Sequence, residues 1–227
     1  MPLARPAALP VALAALLAAG CAGLPVGGEP DLRVFDLQAR LAARASSLVG
    51  EKGDFRFGGE RFPADCTGFV EAVYQAEGIS LRALMRRSAP EERSGVGAAW
   101  RTLATYGTIL GRGEWPAPGD LVFWHDTYDR NGNGRADDGL THVGIIQWVL
   151  DDGTVVFIHR GGKAVARGAM NPRRPAEGTV DGQLVNSPIR KRDARLQGVP
   201  VLAGALFAGY GRIDLRRLPR PMDLAAR

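Results

Sequence analysis

The stretch FPADCTGFVEAVYQAEG, residues 62–78, combines a reactive side chain with a helix pattern. It holds Cys66, one of two cysteines in the 227-residue chain, ahead of apolar residues that recur every three or four positions. This spacing predicts a helix over 66–77 that ends at Gly78. A cysteine in the first turn of a helix lies beside unpaired N–H groups and the positive end of the helix dipole, and both lower a thiol pKa. Cys66 is therefore either a nucleophile or a small buried apolar residue.

Outward from this helix, the chain changes from helical to strand patterns. Predicted helices cover 32–49, 66–77 and 96–106, and predicted strands cover 119–125, 141–150, 154–160 and 205–213. Residues 161–204 show no clear periodicity and are predicted to form long loops with one strand near 184–189. Helices followed by antiparallel strands favour an α+β domain, with the N-terminal helices packed on a central antiparallel sheet. We expect this domain to span 33–216 and to be followed by a tail at 217–227.

Three histidines, His125, His142 and His159, are available as bases. A tight turn at 151–153 joins the strands that carry the last two, so paired residues have numbers that sum to about 304. His142 and His159 then lie near each other at one end of the sheet. If the helix of Cys66 packs on that end, a nucleophile, a base and an orienting group come together. The alternative is that the histidines are ordinary polar strand ends.

The N-terminal segment has the layout of an export signal. Residues 1–20 contain one basic residue and then an Ala- and Leu-rich run that ends in small residues before Cys21. The sequence LLAAGC resembles a bacterial lipobox, which makes Cys21 a lipidation site and residues 21–32 a tether. Because Ala22 follows Cys21 and no aspartate stands there, the anchor predicts an outer-membrane protein facing the periplasm of a Gram-negative cell. Simple secretion and an uncleaved core segment are the alternatives.

The chain is basic, with a formal net charge of +5 and a sequence pI of about 9.7. A basic surface favours anionic partners such as nucleic acid, anionic lipid or acidic wall polymers. The arginines are scattered, however, and no basic stripe is interleaved with aromatic residues. The sequence therefore argues against nucleic-acid binding.

An insertion ahead of His142, DRNGNGRADDG at 129–139, has calcium-loop chemistry. Oxygen-bearing side chains alternate and a glycine follows, as in the first half of an EF-hand loop. The glutamate expected at the twelfth position is missing, since Leu140 stands there, and Asp138 is a candidate substitute. We predict a structural calcium site that fixes the base, against a plain polar hairpin loop. Its predicted ligands are Asp129, Asn131, Asn133 and Asp137.

Four motifs in order resemble the NlpC-type cell-wall cysteine peptidases. They are DCTGFV with Cys66, PAPGDLVFW at 116–124, THVGII with His142 and VVFIHRGG with His159. The resemblance extends over about 35–213. It implies a papain-like α+β fold and hydrolysis of an amide bond in peptidoglycan stem peptides, commonly between D-glutamate and the diamino acid. It implies no cofactor for catalysis.

The resemblance also implies roles for individual residues. Cys66 is the nucleophile, His142 the general base and then general acid, and His159 the group that orients the ring of His142. The Cys66 backbone N–H helps to bind the oxyanion. The expected partners are stem peptides and, through the lipid anchor, a membrane; we expect a monomer.

Three further positions are implied in substrate binding. Asp65 resembles the acidic residue that meets the free amine of the stem, although a helix-capping role is an equal alternative. Thr67 stands where the family usually has serine. Phe55 stands where a tyrosine usually contributes a hydroxyl near the site, which puts oxyanion stabilisation or substrate choice in doubt.

Two other functions fit the same sequence. One is a lipoprotein that binds wall peptides without cutting them, and the other is an amidase or acyltransferase acting on a different amide. Fold does not decide among them. A zinc site built from His125, His142 and Cys66 has suitable ligand types, but no short ligand spacing supports it.

Overall fold

A computed structural model describes residues 32–191, 193 and 198–219. The predicted signal peptide, Cys21 and the predicted tether up to residue 31 lie outside the described residues, as does the tail beyond 219. Across the described part of the chain, no helix has both the length and the apolar character needed to cross a bilayer.

Four α-helices precede most of the strands. They are α1 (Leu32–Ser47), α2 (Cys66–Ala76), α3 (Leu81–Ser88) and α4 (Gly95–Tyr106), and a 3-10 turn follows the last strand at Leu215–Arg217. The strands are β1 (Phe55–Phe57), β2 (Glu60–Phe62), β3 (Gly107–Leu110), β4 (Leu121–Trp124), β5 (His142–Val149), β6 (Val155–Gly161), β7 (Ala164–Met170), β8 (Thr179–Val180), β9 (Gln183–Leu184) and β10 (Phe207–Ile213).

Six of these strands form one antiparallel sheet in the order β3-β10-β4-β5-β6-β7. Helices α1 and α2 pack on β5 near its centre. The predicted α+β architecture, with N-terminal helices on a central antiparallel sheet, is therefore confirmed. The hairpin of β5 and β6 also pairs as predicted, since Ile145 lies opposite Ile158 and Val149 lies opposite Val155.

The segment after this hairpin differs from the prediction of long loops. Ala164–Met170 is a full edge strand paired with β6. The predicted strand near 184–189 is confirmed only at its first residue, since β9 covers Gln183–Leu184 and Pro188 makes an isolated bridge to Leu202. The β7 sequence contains Gly168, whose absent side chain leaves room for the ring of Phe157; a Cβ there would come within 2.4 Å of that ring. Such a sequence does not alternate in hydropathy, so the strand pattern is hidden.

Described residues between β9 and β10 pack on the sheet face opposite the helices. A second apolar core forms there around Trp124, Phe157 and Tyr210, together with Ala203 and Leu206 from the covering segment. The indole N–H of Trp124 donates to the Ala203 carbonyl at 3.1 Å. All four residues of β4 are buried as a result, which explains why LVFW reads as a continuous apolar run rather than an alternating one.

Asp120 ties three parts of the chain to the start of β4. It is 1% exposed and accepts hydrogen bonds from Gln38 Nε2 on α1 at 2.6 Å, from Arg212 Nη2 on β10 at 2.7 Å and from the Ala117 backbone N–H at 2.8 Å. A buried carboxylate is tolerated because it has these partners. The Pro-Gly-Asp turn therefore connects α1 and β10 to the start of β4. The Asp120 side chain does not line the cleft that contains Cys66.

Replacing Asp120 with alanine removes the shared acceptor of Gln38 and Arg212. We expect the free energy of unfolding to fall by about 3 kcal/mol, because one partner of a buried ion pair is then left uncompensated. Chemical denaturation followed by circular dichroism measures this. Asp36→Ala, which removes an exposed partner of Arg40, is the control and should leave the midpoint unchanged. Equal midpoints for both variants would contradict the role of Asp120.

Candidate active site

Cys66 is the first residue of α2, as predicted. The Asp65 side chain caps the helix by accepting the backbone N–H of Gly68 at 2.7 Å. The thiol is half-buried and receives a hydrogen bond from the backbone N–H of Val143. Since Val143 follows His142 on β5, this contact brings the sulfur to the strand end that carries the predicted base.

The two strand histidines form a direct pair. His142 Nε2 lies 2.7 Å from His159 Nδ1, and the ring planes are nearly perpendicular at a centroid distance of 4.9 Å. Gly144 permits this approach, since a Cβ there would come within 2.9 Å of the Ile158 carbonyl and 3.3 Å of the His159 Cβ. The predicted proximity of the two histidines is therefore confirmed.

Aromatic rings pack on both members of the half-buried histidine pair. Trp124 packs on His142 at 5.6 Å and Phe157 on His159 at 5.1 Å between ring centroids. Burial lowers the pKa of His142 well below its ordinary value, with smaller contributions from His159 and the positive charge of Lys191. Burial also lowers the pKa of His159 to about 4. Both rings are thus neutral at pH 7.

The lowered pKa values of the two histidines also make the free energy of unfolding depend on pH. A histidine whose folded pKa is depressed binds its proton more readily in the unfolded chain. The folded state therefore loses stability as the pH falls below about 6.5, the ordinary histidine pKa, towards the folded value.

The expectation of a lowered pKa for Cys66 is wrong. Burial, and then the negative charge of Asp65, raise the pKa of the thiol, and the hydrogen bonds from Val143 and Thr67 only partly offset them. The helix terminus does not lower the pKa of Cys66 because burial of the thiol, and then the charge of Asp65, act in the opposite direction. The resting pair is therefore a thiol beside a neutral imidazole, and the thiolate must form by proton transfer to a base.

These residues face one cleft of about 490 Å³. It is lined by Cys66, His142 and His159, with Asp65 and Thr67 beside the sulfur. Phe55 does not reach it, since its side chain is 4% exposed and packs against Phe69 in the core. The structure thus brings together five of the six predicted catalytic and substrate-binding residues, and it gives Phe55 a packing role.

The sequence analysis missed several side chains that line this cleft. They have no shared motif and come from separate loops and strands, so no local pattern identifies them. The basic and aromatic members of this group are Arg93, Tyr128, Arg130, Arg160 and Lys191.

The predicted calcium loop is held by its own hydrogen bonds. Asp129 accepts the backbone N–H groups of Gly132 and Gly134 at 2.7 and 2.9 Å, and Asp137 accepts the side-chain amide of Asn133 at 3.0 Å. Within the described ranges, no three His, Cys, Asp or Glu side chains are grouped as a metal site; the predicted ligand set contains only two such residues. Calcium binding stays a prediction.

His125 lies just past the end of β4 and outside the cleft. Its Nδ1 accepts the backbone N–H of Leu140 at 3.1 Å. The zinc set of His125, His142 and Cys66 is therefore not assembled among the residues that the structure describes.

The proton-transfer requirement predicts how Cys66 reacts. We expect the rate of its alkylation by iodoacetamide at pH 7 to fall about 10²-fold in His142→Ala, because the buried thiol then lacks its base. Mass spectrometry of the Cys66 peptide measures the rate. His125→Ala is the matched control and should react like the wild type. Equal rates in all three proteins would show that His142 does not accept the proton.

Calcium binding predicts a loop-specific gain in stability. Millimolar calcium should raise the melting temperature of the wild type, since a ligand that binds only the folded state stabilises it. Asp129→Ala should not respond. If the wild type melts at the same temperature with calcium and with a chelator, the predicted calcium site is wrong.

The segment that carries Cys66, His142 and His159 matches a known domain family. Residues 57–161, slightly less than half of the chain, match the CHAP domain model, a cysteine- and histidine-dependent amidohydrolase or peptidase. A search of curated proteins found no match. A solved structure of a Staphylococcus aureus protein, similar to lipoprotein and of the NLP/P60 family, is 23% identical over 63% of this chain, with a TM-score of 0.33. This chain covers 39% of that protein.

The CHAP match contains Cys66, His142 and His159 and indicates a hydrolase of the amidase or peptidase type. The match of residues 57–161 to the CHAP domain model agrees with the resemblance to cysteine hydrolases that was stated from the sequence motifs.

Proposed function

We propose that this protein is a peptidoglycan hydrolase that cleaves an amide bond in cell-wall stem peptides, with Cys66 as the nucleophile. The observation that carries the proposal is the 2.7 Å contact between His142 Nε2 and His159 Nδ1 in the cleft that also contains Cys66. A wall-binding module has no need of a thiol beside a pair of half-buried, neutral histidines. The bond that we propose joins D-glutamate to the diamino acid.

The histidine contact is compatible with two tautomers, of which one leaves His142 able to act as a base. If His142 donates its Nε2 proton to His159 Nδ1, the Nδ1 lone pair of His142 is free to accept a proton. If His159 Nδ1 donates instead, the proton of neutral His142 lies on its own Nδ1. That nitrogen then cannot accept the proton of Cys66. His159, neutral and held by Phe157, thus acts as the acceptor that orients His142 for proton abstraction.

The reaction then proceeds through an acyl-enzyme. His142 takes the Cys66 proton as the sulfur attacks the amide carbonyl, and the oxyanion is bound by the Cys66 backbone N–H at the start of α2. The tetrahedral intermediate collapses, His142 protonates the leaving amine, and a thioester remains. A water molecule, deprotonated by His142, attacks the thioester carbonyl and breaks the C–S bond, which releases the acid. His142 then returns the proton to the Cys66 thiolate.

The remaining features of the proposal rest on the sequence. Lipidation at Cys21 would tether the domain to a membrane, and the residue after it favours the outer membrane facing the periplasm. Asp65, which lines the cleft, is the proposed partner of the free amine of the stem, in addition to capping α2.

The proposal predicts which wall fragments the protein releases. Incubation of purified muropeptides with the wild type should release new fragments, identified by mass spectrometry, and Cys66→Ala should release none. His125→Ala, whose histidine lies outside the cleft, should retain activity. Since burial keeps the pKa of His142 well below its ordinary value, kcat/KM should stay level from pH 8 to about 6.5 and fall only at lower pH. Fragments that persist in Cys66→Ala would refute the thiol mechanism.

A further inference from the structure

The charge of the cleft wall is one-sided. Among the described residues, four cationic side chains line it and one acidic side chain does, Asp65, whose carboxylate accepts the Gly68 N–H. The four cations come from different parts of the chain: the loop before α4, the loop after β4, the end of β6 and the segment after 188. They are Arg93, Arg130, Arg160 and Lys191. Their convergence is a product of the tertiary fold.

Arg160 has an unused donor. The residue follows His159, is 8% exposed, and donates through Nη1 to the Gly162 carbonyl at 2.5 Å. Its Nε is buried and has no hydrogen-bond partner within the described residues. Since the residue lines the cleft, its guanidinium charge attracts an anionic ligand there even though Nε itself is enclosed.

Lys191 lies close to the catalytic base. Its Nζ is 5.2 Å from the centre of the Tyr128 ring, a cation–π contact that holds the ammonium over the cleft. Its positive charge contributes to the lowered pKa of His142. Arg130 is partly neutralised at 3.7 Å by Asp138, whereas Arg93 and Lys191 have exposed side chains and make no ion pair within the described residues.

We propose that these cations form a carboxylate-binding wall, so that the substrate is an acidic peptide with a free carboxylate next to the scissile amide. The inference rests on the proposed function and deepens it, because it names the charge that the stem peptide must carry. A carboxylate would accept hydrogen bonds from guanidinium and ammonium groups, whereas a carboxamide in its place would present an NH₂ group and no charge.

Equilibrium binding separates this inference from catalysis. The full chain carrying Cys66→Ala is titrated by calorimetry with two synthetic stem peptides that differ only in one group, a free carboxylate or its carboxamide. We expect the carboxylate peptide to bind at least 10-fold more tightly, with the advantage shrinking as salt is added.

Variants that remove single positive charges test which side chains bind the carboxylate. Arg93→Gln and Lys191→Gln should each reduce the preference for the carboxylate peptide several-fold, because both side chains are exposed in the cleft and their loss leaves the fold intact. Arg56→Gln and Lys52→Gln, exposed cations outside the cleft, are the matched controls and should leave the preference unchanged.

The outcomes distinguish the two proposals. Equal affinity for the two peptides, or a preference that the cleft variants do not alter, overturns the carboxylate wall whether or not the wild type cleaves muropeptides. Selective binding without cleavage by the wild type supports the wall and refutes the hydrolase. Failure of either peptide to bind overturns the wall, and the fragment assay then decides the hydrolase by itself.

Discussion

The pairing of β5 with β6 is the constraint on which the site depends. Side chains alternate between the two faces of a strand, so a shift of one residue would turn one histidine away from the other. The register is secured by Ile145 opposite Ile158, both buried, and by Gly144, which lets the strands approach beside the ring of His159. The 2.7 Å contact between the rings is a consequence of this packing.

Burial determines the electrostatic state of the site. It lowers the pKa of both histidines and raises the pKa of Cys66. A site of this kind avoids a permanent thiolate–imidazolium pair and keeps its groups neutral until a substrate arrives. The cationic side chains of Arg93, Arg130, Arg160 and Lys191 line the same cleft. Its positive charge is therefore carried by groups other than the thiol and the two imidazoles.

Motifs with local chemistry were predictable. The α2 helix and its cap follow from an aspartate before Cys66 and a regular apolar spacing, and the β5–β6 hairpin follows from two apolar runs joined by Asp-Asp-Gly. Strand β7 was not predictable, since Ala166, Arg167 and Gly168 interrupt its pattern; its strand state depends on pairing with β6 and on the ring of Phe157. The pKa of Cys66 was mispredicted because the helix terminus is a local feature, whereas burial depends on what packs around it.

The sequence by itself determined the reactive residue types, their order and the periodicities that form the elements around Cys66, His142 and His159, because these depend on neighbours within a few positions. Only the tertiary structure decided the rest. It placed Phe55 in the core against Phe69, and it brought Arg93, Arg160 and Lys191 to one cleft. Contacts between residues distant in sequence depend on how helices and loops pack across a sheet, and no local pattern records that packing.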